Sequence, residues 1–142
     1  MQPEIEEKYV TTGQVQLEMR VMAFIGQESV SAAEAAECAN DQGRFFDYHD
    51  KLFEEQGREN SGAYSIDNLK GFAVELGLNA STFNSCLDSH KYAEQVSLET
   101  EEAGKAGIKS TPSFVVGETR LTGLQSFDEL ARTIDEELKK AS

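Results

Sequence analysis

The residue types able to do covalent or metal chemistry are few in this chain and far apart. There are two cysteines, Cys38 and Cys86, and two histidines, His49 and His90. The cysteines form no C-x-x-C pair, and no set of ligands falls at zinc spacing. His90 follows Cys86 by four residues and could meet it at a helix end. A Cys–His nucleophile also needs a third, orienting group, and none is readable. Both histidines are therefore read as structural or surface residues. The third feature is backbone chemistry, in the stretch Gly107-Ile-Lys-Ser-Thr111-Pro112-Ser-Phe-Val-Val-Gly117. Pro112 stands where an apolar, β-prone run begins. It cannot donate to a sheet ladder there. An X-Pro bond in a tight loop is also where a cis peptide costs least. Spacing alone leaves two readings open: a plain helix-to-strand connection, or a shaped turn.

These residues sit in a single acidic chain. It has 142 residues, 13 basic and 26 acidic side chains, a net charge of −13 and 39% hydrophobic residues. That is enough chain for one domain with a core. The acidic residues spread along helical stretches and read as solvated faces. Nucleic acid and anionic membrane surfaces need basic patches, so neither is an expected partner. No apolar run approaches a membrane span, so membrane insertion is not expected, and no signal peptide is visible at Met1.

The elements that must position the stretch follow from periodicity. Residues 3–9 predict a helix, with Pro3 in its first turn and Ile5 and Tyr9 on one face. Residues 14–24 predict the clearest strand: Val15, Leu17, Met19, Val21 and Ala23 alternate with polar neighbours. Ser31 with Glu34 predicts a capping box opening an alanine-rich helix. A helix from about Arg44 to Gln56 places Phe45, Tyr48, Leu52 and Phe53 on one side, and its aromatics, Phe46 included, are read as core. Ser65 predicts a cap before Leu69, Phe72, Ala73 and Leu76, and Ser81 a cap before Phe83, Cys86 and Leu87. A polar helix runs from Lys91 to Ala106. Phe114 to Val116, Gly117-Glu118 and Arg120 to Thr122 predict a hairpin. Ser126 with Glu129 caps a last helix bearing Phe127, Leu130, Ile134 and Leu138. The order is an α/β pattern with a helical insertion.

Motifs along nearly the whole chain carry a resemblance. They are Ile5 to Val10 with Thr12-Gly13, strand Val15 to Phe24, Ser31-Ala-Ala-Glu-Ala-Ala-Glu-Cys38-Ala, Gln42-Gly43-Arg-Phe-Phe, His49-Asp-Lys-Leu-Phe53, Leu76-Gly-Leu78, Phe83-Asn-Ser-Cys86-Leu, and Gly107 to Gly117 with Gly123. In this order and spacing the chain resembles the DsbA-like branch of the thioredoxin superfamily, extracytoplasmic thiol–disulfide oxidoreductases. The resemblance implies an incomplete thioredoxin-like α/β fold with an inserted helical domain. Residues 1–28 and 107–142 would form the core, lacking its first strand, and 29–106 the insertion. It implies that Thr111 and Pro112 bind substrate, Pro112 behind a cis peptide and the Thr111 backbone pairing with an extended chain. Ser110 replaces a more usual glycine, and Phe46 a common tryptophan.

The family's C-x-x-C is absent. By resemblance the chain begins inside the first helix, downstream of the dithiol, as a truncated form, so no catalytic residue is assigned here. No cofactor or metal is implied. Extended protein or peptide substrates and a redox partner protein are the expected partners of the full-length parent, in the periplasm or cell envelope. Lacking the first strand, two strand edges lose their partner. The expected remedy is closure of the gap or filling by a second copy, a homo-oligomer. Cys38 and Cys86 each fall on the apolar side of a helix. They are either a structural disulfide within the insertion, suited to an oxidising compartment, or two buried thiols packing as small apolar groups. Two functions follow: a fragment of a DsbA-like oxidoreductase without its dithiol, or a non-catalytic thioredoxin-fold module that binds peptide or protein.

Overall fold

Helix formers and caps dominate the sequence, and helices dominate the computed structural model, which describes Met1–Ser142. The elements are α1 (Gln2–Ile5), continued as a π turn over Glu6–Val10, then α2 (Gln27–Asn40), α3 (Phe45–Glu54), α4 (Ile66–Glu75), α5 (Ala80–Asp88) and α6 (Ala93–Lys105). They are followed by β1 (Ser113–Val116), β2 (Thr119–Thr122) and α7 (Phe127–Ala141). The fold is a helix-rich α/β fold with a two-stranded antiparallel sheet. The chain divides into two units: Met1–Arg20 with Gly104–Ser142, and Val21–Ala103.

In the first unit, the i, i+4 pair Ile5 and Tyr9 packs with Leu130, Ala131 and Ile134 of α7. The Tyr9 hydroxyl lies 2.9 Å from Asp135 Oδ1 and 3.2 Å from the Ala131 carbonyl. β1 and β2 pair from Ser113↔Thr122 to Val116↔Thr119. Gly117 has φ +58, which a two-residue hairpin turn with glycine in the first central position requires. Glu137 of α7 accepts from Thr119 Oγ1 at 2.9 Å, and a Cβ on Gly117 would collide with its carboxylate. Ser126 and Glu129 form the predicted capping box at the start of α7.

In the second unit, α2 supplies Ala32, Ala35, Ala36, Cys38 and Ala39 to a core completed by Tyr48, Leu69, Phe72, Ala73, Leu78, Phe83, Cys86 and Leu87. Small side chains on α2 let neighbouring helices approach closely, while Tyr48 and Phe83 fill the volume with rings 5.4 Å apart. The buried Tyr48 hydroxyl donates to the Leu69 carbonyl at 2.8 Å, so a polar atom in the core is satisfied.

Four expectations are corrected. Residues 14–24 form no strand. Exposure does alternate there, with Val15, Leu17, Met19 and Val21 half-buried and Gln14, Gln16, Glu18 and Arg20 exposed. Alternation fixes which face turns inward, but a ladder needs a partner, and β1 pairs only with β2. N–H groups of residues 14–24 bond elsewhere: Gln14 and Val15 donate to the Tyr9 carbonyl at 3.0 and 3.1 Å, Val21 to Glu99 Oε2 at 3.1 Å and Ala23 to Thr100 Oγ1 at 3.0 Å. The Ser31–Glu34 capping box is not formed, because α2 starts earlier, after Gly26, and both residues lie buried within it. Asn79, not Ser81, caps α5, its side chain accepting from Thr82 N at 2.9 Å. Phe46 and Phe53 are exposed rather than core. The inner stripe of α3 is Phe45, Tyr48 and Leu52, and Phe53 instead tilts against the His49 ring at 4.8 Å on the outer side.

Candidate functional site

The Thr111–Pro112 loop is built from a helix end and a strand start. α6 stops at Lys105, and Gly107 turns the chain with φ +80, its N–H donating to the Gly104 carbonyl at 3.0 Å. A Cβ at Gly107 would lie 3.3 Å from the end of the Arg120 side chain, which can shift aside, so the turn favours glycine for its φ. The Thr111–Pro112 peptide is cis. Two hydrogen bonds brace it. Ser113 Oγ donates to the Ser110 carbonyl at 2.7 Å, and Gly123 N donates to the Pro112 carbonyl at 2.8 Å. The second ties the loop to the residue that follows β2, where Gly123 has φ +83.

Thr111 and Pro112 are both exposed. The Thr111 N–H and C=O make no hydrogen bond within the chain. An exposed residue just ahead of a strand, with both backbone groups unpaired, can accept an extended chain as a short added strand. Sequence reasoning singles out Thr111 and Pro112 and misses the Gly123 brace. The glycine was visible as a breaker after β2, and only its distance from Pro112 in the chain hid its partner.

The other chemically able residues lie elsewhere. Cys38 of α2 and Cys86 of α5 are joined in a disulfide, with S–S 2.04 Å and Cα–Cα 5.8 Å, and no cysteine is free. His90 does not serve Cys86. It adopts φ +54 and places Nδ1 3.1 Å from the buried Glu34 carboxylate. His49 stacks on Phe45 and lies 3.1 Å from Asp50 Oδ1. No group of three or more His, Cys, Asp or Glu side chains is arranged to hold a metal ion. One cluster had no signal in the sequence. Asp41 accepts from Lys91 Nζ at 2.7 Å and from the Tyr92 hydroxyl, residues 50 and 51 positions away. Burial opposes its charge, but these two hydrogen bonds and the Lys91 charge prevail and hold its carboxyl below the usual range.

A hairpin packed under a C-terminal helix, a helical insertion and a cis-proline loop together define a thioredoxin-type chain. Residues 1–136 match the family described as Thioredoxin, and the chain belongs to that family. It is similar to disulfide bond formation protein D of Bacillus subtilis (strain 168), at 28% identity over 141 residues, 96% of this chain and 63% of that protein. The crystal structure of oxidised BdbD from Bacillus subtilis superposes with a TM-score of 0.84 at 28% identity, covering 96% of this chain and 76% of that one. A thioredoxin-like oxidoreductase from Silicibacter pomeroyi DSS-3 gives a TM-score of 0.70 at 26% identity, over 87% of this chain and 68% of that one. The chain thus spans somewhat less than two thirds of the Bacillus protein's sequence.

Proposed function

We propose that this chain carries the substrate-docking part of a protein thiol–disulfide oxidoreductase. The observation that carries this reading is the exposed Thr111–Pro112 loop with an unpaired Thr111 backbone, in a chain of which 96% is similar to disulfide bond formation protein D. Thr111 offers its N–H and C=O to an extended segment, and the Pro112 ring gives that segment a flat apolar seat. Exchange then needs a thiolate that attacks the substrate disulfide and a second thiol that resolves the mixed disulfide. In this chain both cysteines are consumed in Cys38–Cys86. The exchanging dithiol is proposed to lie in residues of a full-length parent outside this sequence. The parent would act on extended protein substrates outside the cytoplasm and exchange electrons with a redox partner protein. Residues 14–24 join no strand ladder of the chain, which supports filling by another strand, from the parent chain or from a second copy.

A second reading, a peptide-binding module without redox chemistry, is favoured by the absence of any free thiol. Insulin reduction separates the two. The chain alone is expected to be inactive under both. Extended upstream by the residues its gene encodes, it becomes active if they supply a C-x-x-C, and Pro112→Ala then lowers that activity. Inactivity of the extended protein supports the module. Activity of the chain alone overturns both readings. Docking itself is read on this chain by amide shifts of Thr111 on adding an extended peptide.

A further inference from the structure

We propose that the Cys38–Cys86 disulfide is itself a thiol-exchange site, opened by polar low-molecular-weight thiols at Cys86 and not at Cys38. The two sulfurs have different surroundings. Cys38 lies within α2 in the alanine-lined core and is 1% exposed. Cys86 borders the same core but is 7% exposed, and its outer side lines a shallow groove of about 440 Å³ with Asp41, Ser81, Thr82, Ser85, Ser89 and Lys91. Its Sγ lies 3.9 Å from Asp41 Oδ2, so the sulfur itself meets the groove wall. Four hydroxyls and an ammonium suit a hydrated, hydrogen-bonding thiol. The one carboxylate beside the sulfur is already matched by Lys91 at 2.7 Å and by the Tyr92 hydroxyl, so an incoming thiolate meets no unpaired anion.

A thiolate attacks Cys86 Sγ and forms a new S–S bond to it. The Cys38–Cys86 bond breaks, and its electron pair leaves on Cys38 Sγ, which takes a proton from solvent. A second thiol then displaces Cys86, giving the oxidised low-molecular-weight disulfide and the reduced protein dithiol. Apolar surroundings make Cys38 a poor thiolate, so the adduct is slow to form and prone to reversal. Access therefore sets the regiochemistry, because attack on Cys38 would have to pass through packed core.

The test uses reduced glutathione on the native, oxidised chain, with acid quenching, alkylation and peptide mapping. Adduct is expected on Cys86 in excess over Cys38 by about tenfold or more, as the difference in access requires. Equal labelling, excess on Cys38, or a disulfide untouched until the protein is denatured would overturn the proposal. Oxidised glutathione on single variants gives an independent reading: Cys38→Ala is expected to take up glutathione at Cys86, and Cys86→Ala to leave Cys38 unmodified. Should either variant fail to fold, the wild-type map decides alone.

Discussion

The helical unit and the hairpin-bearing unit solve the same problem with unequal success. In the helical unit every main element satisfies its backbone within itself, and α2 needs neighbours only for packing. The result is a core with Ala35, Ala39, Tyr48, Leu69, Ala73 and Phe83 at 0% exposure. The other unit relies on pairing. Its hairpin closes only upon itself, and its core is five buried residues flanked by half-buried Val15, Phe114, Val116 and Leu121. A helix brings its hydrogen-bond partners with it, whereas a strand borrows them. Removing a large side chain should therefore hurt the helical unit more. Phe83→Ala is expected to cost about 3–5 kcal/mol, since packed neighbours relax only partly into the cavity. Ile134→Ala should fall near the low end of about 2–5 kcal/mol, because the half-buried residues around it can shift to fill the space. Urea unfolding of both variants measures this, and a larger loss for Ile134→Ala would break the comparison.

The disulfide sharpens the contrast further, because it lies wholly in the helical unit. It closes a sequence separation of 48 residues between α2 and α5. By the chain-entropy argument, opening it with the Cys38→Ala/Cys86→Ala pair should cost about 2–4 kcal/mol. The loss should appear as faster hydrogen exchange in α2 and α5, with α7 little changed.

The same contrast explains what the sequence could disclose. Ser65, Ser126 with Glu129, the Gly117-Glu118 turn and the last helix's Leu130 and Ile134 were legible because each depends on neighbours a few residues away. The Val15 to Phe24 alternation predicted the correct inward face and the wrong element, because pairing is a property of a second segment. Ser31 misled because a good cap residue followed Gly26, which caps the helix five residues before Ser31. Phe53 misled because a helix's apolar stripe is about 100° wide, and Phe53 falls beyond its edge. Of the candidate site, Thr111 and Pro112 were readable. Their brace at Gly123 and the Asp41–Lys91–Tyr92 cluster join residues remote in the chain, where local pattern carries no information.

A smaller test compares one atom in each unit. Tyr48→Phe deletes a hydroxyl whose oxygen lies in a 0% exposed side chain and which serves the Leu69 carbonyl. Tyr9→Phe deletes one shared between Ala131 and Asp135, a residue that also faces Lys8 at 3.9 Å and has access to water. Each net hydrogen bond is worth about 0.5–1.5 kcal/mol. Tyr48→Phe should lie in the upper half of that range and Tyr9→Phe in the lower, by urea midpoints at neutral pH. The reverse order would show that the hairpin-bearing unit is the more tightly closed of the two.

The pH dependence has opposite signs in the two units and so discriminates best. Burial first, and then the negative charge of Glu99, raise the Glu37 carboxyl above its ordinary value of 4.5. Glu129 is pulled below 4.5, chiefly by the backbone hydrogen bond from Ser126 and then by its hydroxyl. For Glu37 the folded state holds its proton more tightly than the unfolded chain. Its stabilising contribution is whole below about pH 4.5 and disappears as pH rises through the raised folded value. Glu129 runs the other way, contributing fully above about pH 4.5 and losing its contribution as pH falls through the depressed folded value. Glu37→Gln keeps the shape and removes the charge. It should therefore stabilise the chain at neutral pH and leave it unchanged in acid. Ser126→Ala should destabilise at neutral pH, by about 1 kcal/mol for the lost cap, and by less as Glu129 becomes protonated. Urea midpoints from about pH 3 to about pH 8 would show the two differences from wild type with opposite signs, both shrinking toward acid. A Glu37→Gln profile parallel to wild type would mean that Glu37 is hydrated in the folded chain, and that the core of the helical unit is less closed than its burial indicates.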